Sequence, residues 1–422
     1  MQSFKTELDL NNKQKTLCAR HAGTARHAYN WALALCKQLL TYNKNNPTDK
    51  IKFPTAIDLH KLLVASVKVE NPWYYESSKC APQEALRNLT KAFKRQFQVK
   101  GSGFPRFKKK NISDSFYLEG SIKTSGNKIK LPIFGWVKCH EQLPIVSPKN
   151  VTISKRAGRW FIAFKLAAAS FGENPSSQKC LEKLGCSSAS PNIFQEDVVP
   201  TNNQALGSAI GVDLGINTLA TCSNGFVAPN PKAYRKAKRK LAKLQKELCR
   251  RTKGGKNREK TKLKLAKKHY QISSIRSDTL HKLTTYLAKN HSEIWVENLN
   301  VSGMLKNHKL AAAISDCGFY EFKRQLEYKT AWYGSKLCLV DRWFPSSQLC
   351  SSCGSKQSMP LNQRQYDCGK CNLSIDRDLN ASINLLNYTR IAQPCKPGDG
   401  SASQDPNQEL NANFALVELG KF

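Results

Sequence analysis

Two sets of side chains in this sequence are spaced for metal chemistry. The first is a pair of Cys-x-x-Cys turns, Cys350/Cys353 and Cys368/Cys371. One such turn offers two thiolates to a tetrahedral ion, and a second closes the shell with four sulfurs. Two disulfides or four unrelated buried thiols are the alternatives, but the doubled spacing favours Zn2+ in a zinc ribbon. Gly354 and Gly369 stand where the knuckle turns are expected to need a residue without Cβ. A four-sulfur site has no open position, so that zinc would be structural and any reaction must be carried by the second set, three acids. Asp213 interrupts the apolar run Ala209-Ile210-Gly211-Val212-Asp213-Leu214, Glu297 ends the run Ile294-Trp295-Val296, and Asp378 lies in Asp376-Arg377-Asp378 behind the last cysteines. A carboxylate inside an apolar strand needs a proton, hydrogen bonds or a cation to compensate it. Mg2+ (or Mn2+) takes oxygen ligands and keeps waters, so two or three carboxylates plus a substrate phosphate suffice to hold it. Two such ions roughly 4 Å apart would activate a water and stabilise the leaving oxygen of a phosphodiester.

The elements that must bring these acids together can be read in outline. Phe4 to Leu10 alternates apolar and polar residues, the pattern of a half-buried strand, and Asn11 and Asn12 can cap a helix running past Leu35. A loop is expected over residues 43–55, then helices over Ala56 to Val69 and Pro82 to Phe97, with Pro82 suited to a first turn. Residues 111–166 read as short strands broken at Gly126-Asn127 and Ala157-Gly158, a small barrel that the first strand could join. Phe171 to Leu206, rich in Ser, Asn, Pro and Gln with little periodicity, marks a domain boundary with a long loop or insertion. Beyond it come the Asp213 strand, flanked by Gly211 and Gly215 where backbone or a nucleic-acid strand could approach closely, and a helical hairpin over Lys232 to Arg276 divided at Gly254-Gly255. Helix then continues from Leu280 to Lys289. After the Glu297 strand, one helix is expected over Ala311 to Ala331, a strand over Gly334 to Val340, and a final helix carrying Asp378 in its first turn. The tail from Pro394 has the composition of a disordered segment.

Charge points to the partner. Lys and Arg number 67 against 31 Asp and Glu in 422 residues, a formal charge of +36. Such an excess repels itself unless a polyanion offsets it, and nucleic acid ranks ahead of an anionic membrane surface. No apolar run approaches the ~18 residues of a membrane span, and residues 1–5 lack the pattern of a secretory signal. The cysteines outside the ribbon are scattered, which suits reduced thiols in a cytoplasm. The hairpin is nearly devoid of acids beyond Glu247 and Glu259, so its Lys236, Arg239, Lys240, Arg250 and Arg251 are candidate phosphate contacts. Gly103-Phe104-Pro105-Arg106-Phe107-Lys108-Lys109 alternates aromatic and cationic residues, making Arg106, Lys108 and Lys109 further candidates, although a basic loop anchored by two Phe is nearly as good a reading.

Acids in the order strand, strand, helix around divalent metal are what an RNase H-like nuclease requires. The order, the flanking residues and the linked ribbon together resemble the TnpB (OrfB) family of insertion-sequence proteins, relatives of type V CRISPR effectors. Gly211-Val212-Asp213-Leu214-Gly215 matches the first RuvC motif, Val296-Glu297-Asn298-Leu299 the second, and Asp376-Arg377-Asp378-Leu379-Asn380-Ala381 the third. Phe344-Pro345-Ser346-Ser347-Gln348-Leu349-Cys350 opens the ribbon. The likeness is strongest over Ile210 to Leu386 and weaker toward the start. It implies an α+β multidomain chain: a β-barrel wedge domain (1–10 and 100–170), a helical recognition lobe (11–99), a linker or insertion (171–206), an RNase H-like (RuvC) nuclease domain (207–343 and 374–390) interrupted by a zinc ribbon (344–373), and a disordered tail (391–422). It further implies a guide RNA from the mobile element and cleavage of double-stranded DNA beside a short flanking motif, with catalysis by Asp213, Glu297 and Asp378. The family places its third metal ligand at the Asp of Asp-x-Asn-Ala, hence Asp378 over Asp376, and its motif contacts near Lys79 and Gln83. A monomer with one RNA in the cytoplasm is the expected form. A nuclease-inactive guided DNA-binding regulator, a type V CRISPR-like effector and a strand transferase acting directly in transposition are the competing readings. The three intact acids favour the first reading over the regulator, and no Tyr or Ser arrangement of a covalent recombinase can be assigned.

Overall fold

The computed structural model describes residues 2–112, 114–166, 207–360 and 362–388. The expected insertion over 171–206 and the tail over 391–422 lie outside them. The chain divides into two compact units, Met1–Pro191 and Asn192–Phe422, with mixed helices and sheets in each.

The first unit opens with β1 (Gln2–Asp9) and α1 (Asn12–Asn45). Asn11 caps α1 by accepting from the Gln14 amide at 2.8 Å while the Gln14 side chain accepts from the Asn11 amide, a capping box. The helix outruns the expected loop start at residue 43 and ends where Asn46 closes onto Tyr42. Next come α2 (Ala56–Leu62), a π-helical turn (Leu63–Val67), the short α3 (Lys68–Glu70), a 3-10 turn (Pro72–Glu76) and α4 (Cys80–Gln98). The strands are β2 (Ser115–Glu119), β3 (Lys123–Ser125), β4 (Lys128–Leu131), β5 (Gly135–Cys139), β6 (Asn150–Arg156) and β7 (Arg159–Leu166). They form one antiparallel seven-stranded sheet in the order β2-β6-β7-β1-β5-β4-β3, with β1 between β7 and β5. The expected breaks are tight turns with left-handed residues, Gly126 at φ 55° and Ala157-Gly158 at 51° and 81°. One apolar core joins helices and sheet, from Leu33, Leu86 and Phe93 to Leu118, Ile129 and Ile153.

In the second unit β8 (Ile210–Leu214), β9 (Thr218–Cys222) and β10 (Val227–Pro229) make an antiparallel meander. The basic α5 (Ala233–Arg250) and α6 (Lys256–Asn290) follow, then β11 (Glu293–Glu297), α7 (Val301–Met304), α8 (Ala311–Cys317), α9 (Phe319–Tyr333), β12 (Lys336–Val340), β13 (Gln365–Asp367), β14 (Ser374–Asp376) and α10 (Arg377–Leu386). The sheet order is β10-β9-β8-β11-β12, with β8, β11 and β12 parallel. The three parallel strands bury Ile210, Val212, Ile294, Val296, Cys338 and Val340, as strands covered on both faces do. One expectation is corrected: Gly318, left-handed at φ 72°, splits the single helix predicted over 311–331 into α8 and α9. The hairpin turns at Gly254 (φ 84°) as expected, and the helix expected to continue over Leu280 to Lys289 is the second half of α6, which runs unbroken to Asn290. Asp316, buried on α8, accepts from the Tyr234 amide at 2.9 and 3.0 Å and so caps α5 from a distance.

Candidate metal centre and carboxylate cluster

The ribbon brings its four cysteines together, with Cys350 Sγ 3.5 Å from Cys371 Sγ and Cys353 Sγ 3.6 Å from Cys368 Sγ. The two knuckles share one hydrogen-bond plan. The Cys350 amide donates to the Ser355 carbonyl at 2.9 Å, and Gly354 N–H returns to the Cys350 carbonyl at 2.9 Å. The Cys368 amide donates to Leu373 at 2.8 Å, and Asn372 N–H returns to Cys368 at 3.1 Å. The fifth residue of each knuckle is left-handed: Gly354 at φ 70° and Asn372 at φ 57°. Gly369 was expected to need its missing Cβ, but it has no left-handed φ and a Cβ there would meet nothing within 4 Å. Asparagine takes that conformation almost as readily, which is why the second knuckle needs no glycine. Backbone N–H groups of Cys371 and Lys370 lower the Cys368 thiol to about 6, the thiolate form a metal requires. The cluster can hold one Zn2+.

The acids converge through sheet register and helix packing. β8 and β11 are parallel with Val212 opposite Val296, so the next residues along, Asp213 and Glu297, lie side by side. α10 crosses β8 at Gly211, where a Cβ would run into the Ser382 carbonyl and come within 2.7 Å of the Leu386 amide. Asp213 is two residues along the same face of β8 as Gly211, and Asp378 is one helical turn back from Ser382. The close approach allowed for at Gly211 is therefore made by the backbone of α10. Gly215 instead serves a turn, with a Cβ there 2.9 Å from the Thr218 carbonyl.

Charge crowding is visible at Asp213. Burial, then the charges of Asp378 and Glu297, raise its carboxyl to about 7, against a smaller opposing pull from Arg377. Burial also raises Glu297. Arg364 of the ribbon lies 3.7 Å from Asp378. Asp376 has another job: its Oδ1 accepts from the amides of Asp378 and Leu379 at 2.9 and 3.0 Å, capping α10. Among the described residues only the four cysteines place ligand atoms within 4.8 Å of one another, so the three carboxylates stand farther apart than the sulfurs.

Two positioning residues escape a reading of sequence. Asn380 and Asn384, one turn apart on α10, are almost completely buried. The Asn380 amide donates to the Leu349 carbonyl at 2.7 Å while its oxygen accepts from Ser351 N–H at 2.9 Å. Asn384 donates to the Ser346 and Leu349 carbonyls at 2.8 and 2.7 Å. Together they clasp the chain entering the first knuckle onto the helix that bears Asp378. Two asparagines four apart among the apolar positions of a helix were the available signal.

The basic candidates fall into two kinds. Lys79, Arg106 and Lys109 on the first unit and Lys236, Arg239, Lys240 and Arg250 on the second are exposed. Arg251 is exposed but paired with Glu247 at 3.0 Å. Lys108 turns inward, its Nζ 4.3 Å from the centre of the Tyr29 ring and its backbone held at both ends by Asn30, so it anchors the loop. Gln83 is half-buried on α4 with its amide 2.9 Å from His60 Nε2.

Comparison with known proteins places the whole chain in a family. A model described as "Probable transposase", of the OrfB group, matches residues 193–308, and a "Cas12f1-like, TNB domain" matches 319–385. A Streptomyces pristinaespiralis protein named "Putative RNA-guided DNA endonuclease" is 33% identical over 416 residues, covering 95% of this chain and 92% of its own. The chain belongs to the TnpB (OrfB) family. The Escherichia coli relative "Putative RNA-guided DNA endonuclease InsQ" is 30% identical over 405 residues and 92% of each TnpB-family chain. A "Helix-turn-helix domain" model matches residues 1–45, which in this TnpB-family member form β1 and the single helix α1. A solved Cas12f1–sgRNA–target DNA complex aligns with 92% of the chain at 15% identity and a TM-score of 0.31, too low to establish a shared fold.

Proposed function

We propose that this chain is an RNA-guided, divalent-metal-dependent DNA endonuclease of a transposable element, with Asp213, Glu297 and Asp378 as its metal-holding catalytic acids. The observation that carries the reading is the convergence of these carboxylates at one edge of the parallel strands, with Asp213 raised to about 7 by burial and by the other two. Arg364 and Arg377 offset only part of the repulsion that burial and the neighbouring acids impose on Asp213, and oxygen-ligated Mg2+ or Mn2+ is the ion such donors suit. The meander β10-β9-β8 continued by parallel β11 and β12 supports an RNase H-like (RuvC) domain over 207–343 and 374–390, interrupted by the ribbon over 344–373. The first unit would supply the wedge (1–10 and 100–170) and the recognition lobe (11–99).

When bound, the metal would acidify the attacking water and neutralise charge gathering on the scissile phosphate. The chain's own contribution is preorganisation. Strand register fixes Asp213 beside Glu297, the Asp376 cap fixes the first turn of α10 and with it Asp378, and Arg364 partly balances Asp378. Guide–target pairing would read sequence while Lys79 and Gln83 read the short flanking motif. Arg106, Lys109, Lys236, Arg239, Lys240 and Arg250 would track phosphates, with Arg251 available if its pair with Glu247 opens. The working form would be a cytoplasmic monomer with one RNA; no helix among the described residues is long and apolar enough to cross a membrane.

The deciding experiment purifies the chain with RNA co-expressed from its own element and challenges it with a plasmid library randomised beside the target. Guide-dependent cutting that requires Mg2+ or Mn2+ and disappears in Asp213→Ala, with DNA binding retained, is the expected result. Guided binding without cutting at any metal concentration would replace the endonuclease with a regulator.

A further inference from the structure

The first unit carries a groove of about 700 Å³ that none of the catalytic or motif-reading assignments uses. One wall is a single stripe of α1, from Arg20 through Gly23 and His27 to Trp31; the other is the 3-10 turn with Trp73 and Glu76. Three observations bear on its occupant. Trp73 is 39% exposed yet held on several sides: it stacks on Tyr74 at 4.4 Å, its ring is perpendicular to that of His27 at 5.2 Å, and its indole N–H donates to Asn71 at 3.1 Å. Arg20 and Glu76 pair at 2.7 Å at the groove rim, both about half exposed, offering a donor fork and an acceptor side by side in a contact that water weakens.

The third observation is Gly23. Glycine in the middle of a 34-residue helix lowers its stability relative to alanine. Nothing in the described chain requires the omission, since a Cβ at Gly23 would meet only Arg26 Nη2, at the ordinary distance of 3.9 Å. The floor of the groove at Gly23 is thus open among the described residues.

We propose that this groove takes one unpaired nucleobase of a nucleic-acid strand. The base stacks on the exposed face of Trp73 over the Gly23 floor, with its polar edge on Arg20 and Glu76. A held aromatic face with donor and acceptor at its rim fits a base, whereas the internal pairing of the charges argues against a bare phosphate. Guanine presents acceptors at O6 and N7 and donors at N1 and N2, so it matches the Arg20–Glu76 pair best. The site is independent of the nuclease reading, because it needs only the nucleic-acid partner that the +36 charge implies.

The test uses the full chain freed of co-purifying nucleic acid and fluorescein-labelled hexanucleotides of G or U, in ribo and deoxy forms, plus an abasic deoxy hexamer. Trp73→Ala should weaken binding of the base-bearing strands about 5- to 150-fold, the range of one lost stacking contact. It should leave the abasic strand and the salt slope unchanged, because no phosphate contact is lost. Gly23→Leu, which fills the floor, should reproduce the loss while melting no lower than the parent. The ribo and deoxy arms show which strand is preferred. Equal affinity of parent and both variants for the base-bearing strands would overturn the proposal, as would an equal loss for the abasic strand.

Discussion

The seating of α10 on β8 can be tested at one atom. Gly211→Ala adds a Cβ 2.7 Å from the Leu386 amide nitrogen, 3.1 Å from Leu386 Cβ and closer still to the Ser382 carbonyl. Ordinary contact begins near 3.4 Å, so the helix must withdraw by about 0.7 Å or more. Two of the three obstacles are backbone, which no rotamer change can move. Overpacking of this kind costs about 1–3 kcal/mol, equivalent to a Tm drop of about 2–12 °C in a unit of this size. The catalytic effect should be larger than the stability effect. Asp378 rides on the displaced helix while Asp213 and Glu297 stay in the sheet, and a misplacement near 1 Å costs about 100-fold in rate. Scanning calorimetry of the variant, with guided cleavage followed over time at a temperature where it is fully folded, separates the two effects. Gly369→Ala is the control: a Cβ there meets nothing within 4 Å and the change should stay within about 0.5 kcal/mol. A Gly211→Ala protein with the parent's Tm and the parent's cleavage rate would refute the helix seating and the convergence of the acids built on it.

The other expectations concern groups around the same helix. The folded-state pKa of Asp213, about 7, lies above the unfolded value near 3.9. Its contribution to stability is thus complete below about pH 4 and lost as pH rises to about 7, so in metal-free protein Asp213→Asn should flatten the fall of Tm between pH 5 and 8. An unaltered slope would show that Asp213 is not the group responsible. Asp376→Ala should cost about 1 kcal/mol through the lost cap and Asp376→Ser should recover most of it; Asp376→Ser as inactive as Asp378→Ala would mean that Asp376 is itself a metal ligand. Asn380→Ala strands the Ser351 amide and should lower stability by about 1–3 kcal/mol, read as a Tm shift together with faster zinc loss to a chelator. Elemental analysis should find about one zinc per chain, falling in Cys371→Ser; a stoichiometry near zero in protein prepared without chelator would remove the metal from the ribbon.

What could be read from sequence follows the physics of each signal. Asp213 and Glu297 stood out because a charge in an apolar strand is expensive unless compensated, and the cysteines because four thiols at doubled spacing have few other uses. The division of labour between Asp376 and Asp378 was not derivable from residue types: it depends on which carboxylate faces the amides of the first turn. The residues of β3, Lys123-Thr124-Ser125, do not mark it as a strand, because it has no apolar face to alternate with a polar one. Leu263, an apolar residue of the hairpin that would be expected to pack, is 41% exposed. The stripe that packs α5 against α6 runs through Ala233, Ala237, Leu241, Leu248, Leu265 and Ile272. Small alanines carry little hydrophobic signal in a helix crowded with lysine. Lys108 looked like a free cation until the Tyr29 ring beneath it and the grip of Asn30 were in view.

Asp376 is the last residue of β14 and the cap of α10 at once. Strand and helix share a residue, so no linker stands between the hairpin of the ribbon and the carboxylate two positions on. Arg364, on the neighbouring arm of that hairpin, reaches the same carboxylate, and its carbonyl accepts from the Arg377 amide at 2.8 Å. The position of Asp378 is consequently tied to that of the hairpin, with no residue outside strand and helix left between them.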